Sequence, residues 1–336
     1  MFKLLPTIKD IAKETGVSTA TVSRVLNGRN KGYSDETRQS ILETANRLGY
    51  IQNKSAVSLV SKKSNIIGVI MPHYSTTFMG ETIVGIEDEL YLYGYNLFLT
   101  RAGIEGARMQ ESIHLMQEHT IDGYIIASSA LTPEDVALIK KVDIPCVLLS
   151  TNVPNDELPA IKIDDWQAEF DATQFLIDKG CKKIALVGLN VTDRVAGKPR
   201  VEGFKEALLQ NNLSFSEDDV YPGYFTIESG EKAMEQIIAE NKNYDGILCA
   251  SDETASGVLS VCQKHKIRIP EDLSIVGYDD SMTAKIAALP LTTVAQPFEE
   301  LARVSASTLI KHLKGQGAMT STTMMHKIVE RDSTKK

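Results

Sequence analysis

From residue 65 onward, short apolar runs alternate with longer amphipathic stretches. "IIGVIMP", "YNLFLT", "GYIIAS", "PCVLLS" and "AIKIDD" read as strands, with "MGETIVGIEDELYLYG" and "RMQESIHLMQEHT" as helices between them. Near-continuous apolar strands separated by helices predict a parallel sheet covered on its faces. The rhythm restarts with "KIALVGL", "VYPGYFT", "GILCAS" and "SIVGYD", so residues 65–336 predict two similar doubly wound α/β lobes. Loops at the carboxyl ends of such strands collect ligands, and a cleft between two lobes can close on a small molecule.

The first sixty residues follow a helical period instead. "TIKDIAKETG" starts at Thr7 as N-cap, with Asp10 three residues on, places Ile8, Ile11 and Ala12 on one face, and stops at Gly16. "VSTATVSRVLNG" turns Val17, Val22 and Val25 inward and leaves Thr19, Ala20, Ser23, Arg24 and Asn27 on the other side; Asn27-Gly28 closes it. "SDETRQSILETANRLGY" predicts a third helix capped by Ser34, with Ile41, Leu42, Ala45 and Leu48 as its apolar stripe. Two helices on a tight glycine-containing turn, braced by a third, form a helix-turn-helix whose second helix fits the major groove of DNA. Small side chains allow close approach, Ser and Thr can bond phosphates or bases, and Arg24 is long enough to reach guanine O6 and N7. The plainer alternative is a helical bundle with a solvated polar face, for which Ser and Thr are poor helix formers.

Charge sharpens this division. Residues 1–64 hold 11 Lys and Arg against 5 Asp and Glu, leaving 25 against 39 for the remainder, so a net of +6 stands beside −14. A basic module on an acidic body predicts that the small part meets a polyanion. With 336 residues and 43% hydrophobic content, the chain can fill two or three domains. "MFKLLPTIKD" lacks an apolar run of signal-peptide length and the longest apolar stretches fall short of a bilayer span, so no membrane partner and a cytoplasmic location are expected. Cys146, Cys181, Cys249 and Cys262 form no CxxC and are expected to be buried reduced thiols.

Catalytic readings find little support. "AGKPR" is no P-loop, because Pro199 replaces the Ser or Thr and Thr192 the first Gly; GxSxG and GxGxxG do not occur. His114 and His119 are five apart, off a shared metal-binding face, and no HExxH is present. No catalytic residue, metal or cofactor is therefore expected. The rival readings are a cytosolic sugar-binding or catalytic protein whose N-terminal helices serve another partner, and a sugar-processing enzyme fused to a DNA anchor.

"TIKDIAKETGVSTATVSRVLNG" followed by "TRQSILETANRLGYIQN" resembles the DNA-binding headpiece of the lactose-repressor (LacI/GalR) family. The resemblance implies a homodimeric, sometimes tetrameric, repressor on palindromic operator DNA. Thr19, Ala20 and Arg24 would read bases and Ser18, Ser23 and Asn27 would lie on phosphates; Thr7 and Thr21 join them as candidate DNA contacts. "NKSAVSLVSKKSN" matches the family's hinge helix, with Leu59 at the position that wedges into the minor groove. The chain departs from the family in having Gln52 where Pro is usual, Val57 where Arg is usual, and one extra residue in "NGRNKGYSDETR". The organisation expected is a headpiece over 1–52, a hinge over 53–64 and an effector-binding, dimerising body over 65–336.

The body resembles the family's effector domain, built like a periplasmic sugar-binding protein. "RVEGFKEAL" makes Arg200 the implied clamp on ligand oxygens and "VGYDD" makes Asp279 its acidic counterpart, bonding a polyol from the two sides of the cleft. Phe225 of "GYFTIESG" matches an aromatic that stacks on the ligand; Ser251 and Asp252 of "CASDETASG", Arg101 of "TRAGIEG" and Gln296 of "LTTVAQPF" are further candidates, Gln296 lying at a crossover. The final "HKIVERDST" resembles the family's terminal strand. A sugar or sugar phosphate is the effector implied, with a purine as alternative. In one branch of the family a phosphorylated sugar-transport carrier protein acts as corepressor, and such a carrier stays among the implied partners.

Overall fold

The computed structural model describes residues 6–28, 31–50, 63–72, 77–103 and 106–336. The chain divides into two compact units, 1–64 and 65–336.

Among its described residues the small unit holds three helices, α1 (Ile8–Thr15), α2 (Thr19–Leu26) and α3 (Asp35–Leu48). Asp10 accepts from the backbone N–H of Thr7 at 2.8 Å and from its hydroxyl at 2.7 Å, tying down the start of α1. Gly16 ends α1 at φ 69°, a left-handed conformation that glycine adopts without steric cost. Ile11, Ala12, Val22, Val25, Ile41 and Ala45 form the core. The stripe on α3 differs from expectation at one position. Leu42 is exposed at 39%, whereas Thr44 is buried, because residues 41, 44, 45 and 48 keep the 3–4 spacing of one face and 42 falls off it.

The large unit contains two six-stranded sheets. The first is ordered β2 (Asn96–Arg101), β1 (Ile66–Met71), β3 (Gly123–Ala127), β4 (Cys146–Leu149), β5 (Ala160–Ile163) and β11 (Thr322–Met324), every pairing parallel. The second is ordered β7 (Val220–Pro222), β6 (Ile184–Leu189), β8 (Gly246–Cys249), β9 (Ser274–Asp279), β10 (Thr292–Ala295) and β12 (Lys327–Val329), with only β12 antiparallel. The connecting helices are α4 (Thr77–Leu92), α5 (Met109–Glu118), α6 (Pro133–Val142), α7 (Asp165–Asp178), α8 (Gly197–Gln210), α9 (Ile227–Ala239), α10 (Asp252–Lys264), α11 (Met282–Ile286) and α12 (Phe298–Leu313). Strands β1, β3, β4, β6, β8 and β9 are buried along almost their whole length, as a sheet covered on both faces demands.

The lobes are not consecutive halves of the sequence. The chain passes between them three times, at 163–165, 295–298 and 324–327. Helix α12 follows a strand of the second sheet yet packs on the first, where Gly85 of α4 lies so near that a Cβ there would sit 2.6 Å from the Glu299 carbonyl. All four cysteines are free and buried. No described helix is long and apolar enough to cross a membrane.

Candidate functional site

Two surfaces carry the candidate chemistry. On α2, Ser18 is the N-cap, its Oγ accepting the Thr21 N–H at 3.1 Å and lying 3.0 Å from the Thr21 hydroxyl. Thr19 and Ala20 are exposed, while Ser23 and Arg24 are half-buried. Asn27 donates through Nδ2 to the Ser23 carbonyl at 2.8 Å and reaches its hydroxyl at 3.2 Å. Arg24 donates through Nε to the Ala20 carbonyl at 3.3 Å, and its guanidinium lies over the 31–33 loop, 2.5 Å from where a Cβ on Gly32 would stand. Thr19, Ala20, Ser23, Arg24 and Asn27 thus share the face opposite the buried Val22 and Val25. Thr7 is exposed at the N-cap of α1. Leu59, Gln52 and Val57 lie outside the described residues.

The second surface is a cleft of about 1960 Å3 at the carboxyl ends of the strands of both lobes. Arg101, at the end of β2, Ser129, Thr151 and Lys162 line it from the first lobe; Arg200, Phe225, Ser251 and Asp279 line it from the second, with Gln296 in the crossing segment. Arg200 and Asp279 therefore stand on the same lobe and do not oppose each other across the cleft. Both elements that carry them, α8 and β9, belong to the second sheet's layer, and the first lobe lines the other side of the cleft.

Arg200 is buried and held by neighbouring groups of the protein. Its Nε donates to Asp165 Oδ1 at 3.0 Å, its Nη2 pairs with the same oxygen at 2.9 Å, and Nη1 donates to the Ala250 carbonyl at 3.1 Å. The guanidinium lies flat against Tyr278, 3.5 Å from the ring centroid, and 6.0 Å from that of Phe225. Phe225 has φ 60°, pinned by its own N–H to the Gly188 carbonyl at 2.9 Å and by the Ser251 hydroxyl donating to its carbonyl at 2.9 Å. Ser251 also caps α10 through the Thr254 N–H at 3.0 Å.

Asp279 ends β9 at φ 114°, a sparsely populated conformation for a non-glycine residue, and its Oδ1 accepts from Gln296 Nε2 at 2.7 Å. Burial, and then the nearby Asp252, push its carboxyl well above the usual range against the pull of Arg200 and Gln296. Asp252 itself does not line the cleft. It is fully buried, its two oxygens taken by the Ser281 N–H and the Thr293 hydroxyl, both at 2.7 Å, and burial pushes its carboxyl up to about 6. Its chemistry is that of a peg joining α10 to the ends of β9 and β10.

Sequence reading missed Asp165, the partner of Arg200, as well as Asn190, Asp193 and Tyr224 on the cleft lining. The signal for Asp165 was the acidic pair closing "AIKIDD" at a strand end, where α7 begins. Among the described residues no group of three or more His, Cys, Asp or Glu could hold a metal ion.

Comparison with known proteins covers both units. Residues 7–53 match the lacI family of bacterial regulatory proteins, and residues 173–334 match the periplasmic binding protein-like domain. Catabolite control protein A of Priestia megaterium is 36% identical over 330 residues, 98% of this chain and 99% of its own. The HTH-type transcriptional regulator RegA of Clostridium saccharobutylicum is 33% identical over 328 residues, 97% of this chain and 98% of its own. The crystal structure of the lac repressor dimer bound to operator and the anti-inducer ONPF superposes with a TM-score of 0.87 at 25% identity, covering 98% of this chain and 99% of that one. The similar proteins are transcription regulators, not enzymes. With a helix-turn-helix face, a two-lobed cleft and near full-length similarity to such proteins, this chain belongs to the lacI family of DNA-binding transcriptional regulators.

Proposed function

We propose that this chain is a homodimeric, cytoplasmic repressor of carbohydrate-utilisation genes, released from or fixed to a palindromic operator by a small-molecule effector in the interlobe cleft. The observation that carries the reading is the buried Arg200 fork, fixed by Asp165, in a cleft spanned by three chain crossings. A ligand bonded to Arg200, Asp279 and Gln296 on one wall and to Arg101, Ser129 and Thr151 on the other favours the closed arrangement of the lobes. Phe225 offers the ring face on which a pyranose can lie. Thr19, Ala20 and Arg24 read bases, Thr7, Ser18, Thr21, Ser23 and Asn27 fix the helix on phosphates, and Leu59 enters the minor groove. The lac repressor solved as a dimer on operator, with a ligand, supports this division of labour.

The test has two arms on the full chain. Footprinting on duplexes selected from a random pool should give a protected palindrome. A thermal-shift screen of mono- and disaccharides and their phosphates should give a ligand that raises the melting temperature and changes operator affinity. Protection without sequence preference, or a hit confined to purines, contradicts the reading.

A further inference from the structure

Behind the second-lobe wall, Arg200 shares its burial with two carboxylates. Asp165 is the first residue of α7 and Glu169 follows one turn later on the same face, toward α8. Glu169 is 1% exposed, and Arg200 and Asp165 are the charged groups acting on its carboxyl. Two N–H groups of Arg200 are given to Asp165 and Ala250, its Nη2 lies 2.9 Å from the same Asp165 oxygen as an ion pair, and its remaining face is covered by the ring of Tyr278, whose hydroxyl has no partner among the described residues. One fixed cation thus stands against two acids. The cleft lining adds no surplus, since it carries six cationic and six acidic side chains.

We propose that Glu169, which does not line the cleft, is a specificity-determining residue: with Asp165 it cancels the charge of Arg200, so that the site takes neutral, hydroxyl-bearing effectors and rejects phosphate- or carboxylate-bearing ones. The proposal rests on the cleft being the effector site. A hydroxyl can accept from a free Arg200 N–H and donate to a carboxylate on the same wall. An anion has to displace Asp165 or settle beside two buried negative charges in a medium that screens them poorly.

The cluster also makes the rejection proton-dependent. Burial, with Asp165 adding to it, pushes the Glu169 carboxyl up to about 7 against the pull of Arg200. The other titratable groups that act on it are Cys249 on β8 and Tyr278 on β9, both pushed upward mainly by burial. With its carboxyl raised to about 7, Glu169 changes charge near neutral pH, and anions should be tolerated better as pH falls.

Sulfate, which keeps its double charge across this range, is the probe. Calorimetric titration of the full chain at pH 6 and pH 8 should show sulfate binding about tenfold or more tighter at the lower pH. Glu169→Gln should bind it at pH 8 at least as tightly as the wild type does at pH 6, with a flattened pH profile, and Glu169→Gln combined with Arg200→Gln, its fold verified by a cooperative urea transition, should lose that gain. A Glu169→Gln variant no better than wild type, or a gain that survives loss of Arg200, overturns the proposal. Should the variant not fold, a flat wild-type profile between the two pH values overturns it equally. The effector-site reading fails on a different result, an unchanged effector response in Asp279→Ala.

Discussion

Arg200 shows why a residue can be found in the sequence while its working environment cannot. Its place in "RVEGFKEAL" marks it, but only the fold brings Asp165, Glu169 and Tyr278 around it from α7 and β9. Glu169 sits at an ordinary helical position, and nothing in "DDWQAEF" tells that this acid turns inward. Asp252 illustrates the converse, since a residue beside the cleft in sequence is spent on Ser281 and Thr293 behind it. The Glu169 carboxyl, normally near 4.5, is raised to about 7, so the folded state holds its proton more firmly than the unfolded chain does. That contribution is fully present below about pH 4.5 and is lost as pH rises through about 7. Glu169→Gln, a mimic of the protonated form, should gain stability on wild type at pH 8, by up to roughly 3 kcal/mol, and lose that advantage near pH 5. Urea titrations at the two pH values measure it; an advantage independent of pH refutes it. On α2, Arg24→Ala should cost roughly 1–3 kcal/mol in operator binding and relax specificity at one base pair per half-site. An unchanged ratio of operator to scrambled-duplex affinity at matched salt shows that Arg24 reads no base.

At the scale of elements, periodicity carried most of the information. The three headpiece helices and the main strands were legible because alternation, caps and glycine stops are local. The return of α12 to the first lobe and the pairing of β11 with β5 were not, because both depend on packing between segments far apart in sequence. Helix contacts in the body are close enough to be tested singly. Gly257 on α10 faces α9 so tightly that a Cβ would stand 2.0 Å from the Ile227 carbonyl. The atom it meets is backbone, so the helices themselves must separate, and Gly257→Ala should cost about 1–3 kcal/mol in denaturant unfolding. No loss of stability would mean the two helices do not pack as described.

For the whole molecule, the charge division sets how each unit meets DNA. With +6 on residues 1–64 and −14 on the rest, operator affinity should fall steeply with salt, and residues 65–336 alone should show no affinity for duplex. Measurable duplex binding by the isolated body contradicts that assignment. The switch itself obeys linkage: effector and operator must change each other's affinity by the same factor, whichever direction the effect takes. Because Arg200 holds Asp165 in a buried pair, its removal would also disturb folding, which makes Asp279 the cleaner handle. The decisive measurement is fluorescence anisotropy of the full chain on its selected palindromic duplex, with and without the sugar found by thermal shift, for wild type and Asp279→Ala. The expected result is an operator affinity changed about fivefold or more by the sugar in wild type, and near wild-type operator binding with no response in Asp279→Ala. A full response in that variant would show that the cleft is not where the effector acts.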